Sequence, residues 1–344
     1  MIASGPDLLR LLIIPVFAWA AWRDIETRRL PNRLWPPLAV IGVVLVGIEA
    51  IQLAPFGTFE GRLFLIQIAV SFLFVAPLGY AFWWFGAFGG ADAKAMIVLA
   101  IFLPTFPTYT VVGMTLPAVG TDLGVFSLTI LTNAVLIAAF VPLVLAGRNL
   151  AGGHIEPKAM FFARPVSIDS IPDRHGRLFE TPEGISRHGL DLDALRMYLR
   201  WRGTTLDALR TDPDSHRNPE TIETTHDPTD GGTHIGPQTD GGVDLEHDEN
   251  AVAVSASPPD DQPVAGGDPW GADRFFDSIE GSAYGSSPAR LREALDLLAS
   301  ADGKSDVVWV SPGLPFIVPM FVGLVIAFLY GDLLFGLLGW LAVV

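Results

Sequence analysis

A chain of 344 residues that is 50% hydrophobic, carries a net charge of −15 and contains no cysteine excludes several classes of protein at once. There are no disulfides, no thiol catalysis and no thiolate zinc site. An isoelectric point of about 4.7 implies an acidic surface that repels nucleic acid and anionic lipid.

The apolar residues are concentrated in stretches long enough to cross a bilayer, which needs about 20 mostly apolar residues per helix. Taken in chain order, spans are expected near 6–22, 34–54, 62–85, 92–119, 124–146 and 312–342. The first has no small-residue cleavage site and runs into a charged loop, so it reads as a span and not as a removable signal peptide. The fourth contains Pro104 and Pro107, which predict that its helix ends near Leu103 and that the rest is re-entrant or loop. The loop RDIETRRLPNR carries four arginines, the turn GAFGGADAK carries Lys94, and the stretch after the fifth span carries Arg148, Lys158 and Arg164. The alternate loops hold one Arg or none. By the positive-inside rule, these three basic loops face the cytoplasm and both termini lie outside. The expectation is an all-α integral membrane protein with six transmembrane helices.

The charge resides in a hydrophilic insert between the fifth and sixth spans. Residues 149–308 hold 14 of the 22 Lys and Arg and 29 of the 37 Asp and Glu, a net of −15. A carboxylate-rich, lysine-poor surface suits a salt-rich cytoplasm and a halophilic source. The expected organisation is a membrane core over 1–148, the cytoplasmic insert over 149–308 and a sixth helix over 309–344. Within the insert, 191–210 and 269–300 show helical spacing, whereas 211–268 is rich in Asp, Pro, Gly, Thr and His and reads as disordered. All seven histidines lie in the insert, so chemistry within the membrane must use carboxylates, hydroxyls or backbone. No metal and no cofactor is expected.

Two acids border the apolar spans on the basic side. Asp24 follows the first span, and Asp92 opens the fourth after Gly89 and Gly90. Each has an ordinary reading. Asp24 can be a solvated charge among arginines, Asp92 a helix-dipole partner, Arg28, Arg29 and Arg33 topology determinants, and Lys94 an interfacial anchor. As a pair they have a further one. Two close carboxyls share a proton, so that one activates water while the other protonates the leaving group. Glycines beside an acid let a substrate backbone approach it.

The stretch containing Asp24, Arg28, Arg29, Leu30, Pro31 and Asn32 resembles the first aspartate motif of type IV prepilin peptidases. Gly89–Gly90–Ala91–Asp92 with Lys94 resembles their second motif, the GxGD of intramembrane aspartyl proteases. SPGLPFIVP resembles the start of the last span in the archaeal preflagellin and prepilin peptidase branch. The resemblance covers the spans, and the insert looks like a lineage-specific expansion. It implies that Asp24 and Asp92 are the catalytic pair, with Gly89, Gly90, Ala91, Arg28, Arg29, Pro31, Asn32 and Lys94 shaping the site. It implies pilin or archaellin precursors as substrates, cut at the cytoplasmic face. Ala91 departs from the strict motif, which has Gly there. Membrane lipid is a second partner, since arginines near the surface attract anionic headgroups by about 1 kcal/mol each. A carboxylate-dependent transporter or proton relay is the alternative, and its acids belong near the bilayer midplane. A bare membrane anchor for the insert is the third reading.

Overall fold

The computed structural model describes residues 3–85, 88–233, 267–279, 283–300, 307–313 and 315–343. It divides into two units, Met1–Val141 with Pro315–Val344, and Pro142–Leu314.

The first unit begins with α1 (Gly5–Arg10), whose Asp7 N–H donates to the Ser4 side chain at 3.1 Å. α2 (Ile13–Thr27) follows, so the expected first span is two helices divided at Leu11–Leu12. A 3-10 turn, Asn32–Leu34, leads into α3 (Trp35–Leu53), which has prolines in its first turn where no N–H is needed. α4 (Phe59–Val70), a π turn (Ser71–Val75) and α5 (Ala76–Trp84) form one long segment. In its middle, Ser71 Oγ bonds the Ala100 carbonyl and Ser127 Oγ, each at 2.6 Å. α6 (Gly90–Phe102) stops just before Pro104, and a hairpin of β1 (Tyr109–Val111) and β2 (Met114–Leu116) occupies the rest of the expected fourth span. α7 (Phe126–Ala151) is a single long helix.

Three helical segments, Asn32–Leu53, Phe59–Trp84 and Phe126–Ala151, are long and apolar enough to cross a membrane. No more than 28% of each is buried within the protein, so their apolar faces point outward, as lipid contact requires. α6 is different. Seven of its residues, Ala93 to Phe102, are buried, and it packs against α3 and α5. Gly42 on α3 lets the two backbones meet, because a Cβ there would lie 2.9 Å from Phe102 Cα.

The second unit contains strands that the helical expectation for the insert missed. β3 (Arg164–Ser167) and β4 (Arg177–Leu178) come first, followed by a small hairpin of β5 (Glu180–Thr181) and β6 (Gly184–Ile185). α8 (Leu192–Arg202), α9 (Leu206–Thr211), α10 (Pro213–Arg217), α11 (Ala272–Ser278), α12 (Pro288–Ser300) and β7 (Val307–Ser311) complete it. β7 is central in an antiparallel sheet of order β3-β7-β4, with Val166 opposite Val308 and Leu178 opposite Val310. Its alternating buried valines face a core of Tyr198, Trp201, Trp270, Phe275 and Leu295. The sixth helix therefore does not begin at 309, because residues up to Ser311 are strand.

The expectation of disorder from 211 to 268 fails for its first part. α10 and a 3-10 turn follow 211, Ile222 is buried in the core, and the Gly231 carbonyl accepts from Arg196 Nε at 2.5 Å. One buried isoleucine and bonds to backbone carbonyls hold this stretch, and neither creates apolar periodicity. Residues 234–266 lie outside the described residues.

Asp191 caps α8 by accepting from the Asp193 N–H at 2.9 Å. Burial pushes its carboxyl up to about 6, well above its ordinary 3.8. The native state thus holds this proton more tightly than the unfolded chain does. Ionised Asp191 lowers stability at neutral pH, and the deficit is relieved as pH falls from above 6 towards 4. A shift of this size converts to about 3 kcal/mol. Asp191→Asn keeps a capping oxygen and should raise the melting temperature of this unit at neutral pH, with the gain vanishing near the ordinary carboxylate range. A variant that melts below wild type at neutral pH would refute this.

The chain returns to the first unit as α13 (Ile317–Leu329) and α14 (Leu333–Val343). The expected last span is thus two short helices. Gly331, at φ 109°, takes the break because a Cβ there would run into the Val119 carbonyl. Polar groups at the break are satisfied internally. Asp332 accepts from Thr129 Oγ1 at 2.8 Å and from the Phe335 N–H at 3.0 Å, while Asn133 accepts from the Leu333 N–H and donates to the Gly331 carbonyl, both at 2.9 Å.

Candidate active site

The end of α2, the start of α6 and the start of α13 converge in the first unit, where α13 packs against both other helices. Asp24 lies in the last turn of α2 and is 7% exposed. Its carbonyl accepts from the Arg28 N–H at 3.1 Å, and Arg28 then takes a left-handed conformation, φ 57°, that ends the helix. Such a conformation costs a non-glycine residue roughly 1 kcal/mol. It turns the chain sharply just after Asp24. Thr27 secures the turn: its hydroxyl donates to the Arg23 carbonyl at 3.0 Å and accepts from the Arg29 N–H at 3.3 Å.

Asp92 sits in the first turn of α6, half-buried. Both its oxygens receive backbone N–H groups: Gly89 donates to Oδ2 at 3.2 Å, and Ile317, at the start of α13, donates to Oδ1 at 3.1 Å. Asp24 and Arg28 both lie close enough for their charges to act on Asp92. A Cβ at position 89 would come within 3.2 Å of Asp92 Oδ2, which is tighter than ordinary contact, so glycine there leaves the carboxylate its place. At Gly90 the nearest atom is Trp83 Nε1 at 3.9 Å, and space alone does not require glycine. Ala91 packs against the core of this unit.

Lys94 Nζ donates to Asn32 Oδ1 at 2.8 Å, which ties the loop after Asp24 directly to the helix that bears Asp92. Pro31, extended at φ −66°, sets Asn32 at the start of the 3-10 turn. Arg28, Arg29 and Arg33 each have an interaction partner. Sequence reasoning did not identify Ile317, because its contribution is a backbone N–H. It also missed the aromatic wall beside the acids, where Phe88 meets Phe316 at 4.6 Å and Phe82 at 4.9 Å between ring centres. Their position flanking Gly89 and Ile317 in the sequence was the available signal. Among the described residues, no group of three or more His, Asp or Glu gathers as metal ligands.

The fold is mostly helical, with three helices long and apolar enough to cross a membrane and with Asp24 and Asp92 at the ends of two further helices. Residues 11–147 match the Type IV leader peptidase family, and residues 266–333 match the Archaeal Peptidase A24 C-terminus Type II. The chain is 28% identical over 158 residues to a preflagellin peptidase of Methanococcus maripaludis, covering 44% of this chain and 64% of that one. A preflagellin peptidase of Methanococcus voltae is 29% identical over 164 residues, covering 46% and 63% of the two chains. The prepilin peptidase EppA of Methanothermobacter thermautotrophicus is 29% identical over 149 residues, covering 40% and 37%. The chain thus spans less than two thirds of each of these relatives. The match over 266–333 also corrects the reading of the insert as a lineage-specific expansion, since its C-terminal part from 266, with α11, α12 and β7, matches the archaeal C-terminal module.

Proposed function

We propose that this protein is an aspartyl endopeptidase that removes the leader peptide of type IV pilin-like or archaellin precursors at the cytoplasmic membrane face. The observation that carries the reading is the setting of Asp92, held through both oxygens by the Gly89 and Ile317 N–H groups and within reach of the charge of Asp24. The match of residues 11–147 to the Type IV leader peptidase family and relatives named as preflagellin and prepilin peptidases support the substrate class. In the proposed reaction the pair shares one proton. The ionised carboxylate takes a proton from water, the water attacks the scissile carbonyl, and the protonated partner donates to the departing amine. The Asn32–Lys94 bond keeps the two acid-bearing segments in register. Phe88 and Phe316 offer an apolar wall for the hydrophobic stretch of a precursor.

In this reading the chain crosses the membrane six times, through α1 with α2, α3, α4 with α5, α6, α7, and α13 with α14. The Arg- and Lys-bearing loops around 23–33, 86–94 and 148–164 face the cytoplasm together with the insert, and the termini face out. The test is incubation of membranes containing this protein with an archaellin or pilin precursor. A product shortened at its N-terminus is expected, and intact precursor under conditions where the protein is folded would refute the activity.

The space around Asp92 gives a finer test. Gly89→Val should lower turnover by about 10- to 100-fold, because displacing a reacting group by a fraction of an ångström is enough for such losses. Gly90→Ala should stay within a few-fold of wild type. Equal rates for the two variants would show that room beside Oδ2 does not matter.

A further inference from the structure

The segment that follows α7 leaves large apolar side chains uncovered in an otherwise highly charged unit. Leu150 is 56% exposed, Ile155 66%, Phe161 39% and Phe162 45%. They sit on a built turn. Asn149, itself 4% exposed, donates from Nδ2 to the carbonyls of Met160 and Ala163, both at 2.8 Å. Ala159 and Ala163 are fully buried against Phe179. The two phenylalanines are therefore fixed beside the last turn of α7.

That helix sets the level. Its 26 residues extend about 39 Å at 1.5 Å per residue, against a hydrocarbon core of about 30 Å. Its last turns thus emerge into a headgroup layer. The charges around the turn suit such a layer. Arg148, Lys158 and Arg187 are exposed, and the Arg187 guanidinium lies over the Phe162 ring at 4.8 Å. One acid, the half-buried Glu156, lies among them, and its Oε1 accepts from the Lys158 N–H at 3.3 Å. These cations stand out in a region whose net charge is −15. Apolar side chains rimmed by basic ones are the composition of an interfacial anchor on anionic lipid.

We propose that residues 150–162, with Arg187, form a foot that inserts into the headgroup layer of an anionic bilayer where α7 leaves it. Phe161, Phe162, Ile155 and Leu150 enter the acyl boundary, while Arg148, Lys158 and Arg187 meet lipid phosphates. The insert is then held to the membrane along this foot and not only by its two covalent connections. The inference uses the membrane crossing of α7 and is independent of the peptidase reading.

The absence of cysteine makes the test direct. Single variants Ile155→Cys, Phe161→Cys, Phe162→Cys and the exposed control Asp214→Cys, in the full chain, each receive a nitroxide label. The protein is reconstituted into vesicles of phosphatidylcholine alone or mixed equally with phosphatidylglycerol. Spin-label accessibility is then compared between oxygen, which partitions into lipid, and a water-soluble nickel chelate. In the anionic vesicles the labels at 155, 161 and 162 should show an oxygen-to-nickel ratio about threefold or more above that at 214, and Lys158→Glu with Arg187→Glu should reduce it. Ratios equal to the control would overturn the proposal. So would protection from both reagents, which signals cover by another part of the chain or by a second copy. Equal ratios in the two lipids would overturn the anionic preference.

Discussion

Asp24→Asn and Asp92→Asn should each reduce precursor cleavage by about 10³-fold, because the proposed reaction needs one carboxyl to accept a proton and the other to donate one. The two variants are not equivalent as tests. Asp92 accepts the N–H groups of Gly89 and Ile317 on separate oxygens. An asparagine there turns one acceptor into a donor facing an N–H, so Asp92→Asn also loosens the start of α6 or of α13. Neither of those bonds involves Asp24, and Asp24→Asn is the cleaner probe of chemistry. Both proteins should be recovered in membranes at wild-type amounts, and Asp24→Asn should melt in detergent near the wild-type temperature. Near-normal turnover by either variant would end the two-aspartate mechanism. Loss of activity accompanied by loss of the Asp24→Asn protein from the membrane would assign Asp24 a structural role instead.

The candidate site was legible where it is built from side chains at short sequence spacing. Asp24 with its arginines, and Asp92 with its glycines, each form a local pattern, and Pro104 announced the early end of α6. What joins the patterns was not legible. Lys94 and Asn32 are 62 residues apart, and each alone reads as an ordinary interfacial residue. Ile317 acts through its backbone 225 residues from Asp92, and nothing in an apolar side chain signals a donated N–H. The same limit applies to the fold. Apolar length revealed the long spans, but the break at Tyr330–Asp332 depends on partners such as Asn133 that lie far away in sequence. β7 is as apolar as the start of a span, and only its pairing with β3 and β4 makes it a strand.

Arg10 was passed over in the apolar first span, and it carries the largest expected effect on stability. It is 1% exposed, with Nη1 on Asp7 Oδ1 at 3.1 Å and Nη2 on Glu49 Oε2 at 2.8 Å. The Tyr109 hydroxyl donates to the Asp7 carbonyl at 2.7 Å, so the cluster links α1, α3 and β1. Removing the cation leaves the buried Asp7 and the partly buried Glu49 without their partner, and breaking a buried pair in this way costs about 3–5 kcal/mol. Arg10→Met should therefore lower the melting temperature in detergent markedly and reduce the amount of folded protein in membranes. Neutralising all three positions, as Asp7→Asn, Arg10→Met and Glu49→Gln together, should recover much of that loss, because no unpaired charge remains and the apolar surroundings no longer desolvate an ion. A triple variant as unstable as Arg10→Met would show that the guanidinium's hydrogen-bond geometry matters more than its charge. Arg10→Met melting with wild type would show that the cluster contributes nothing to the fold.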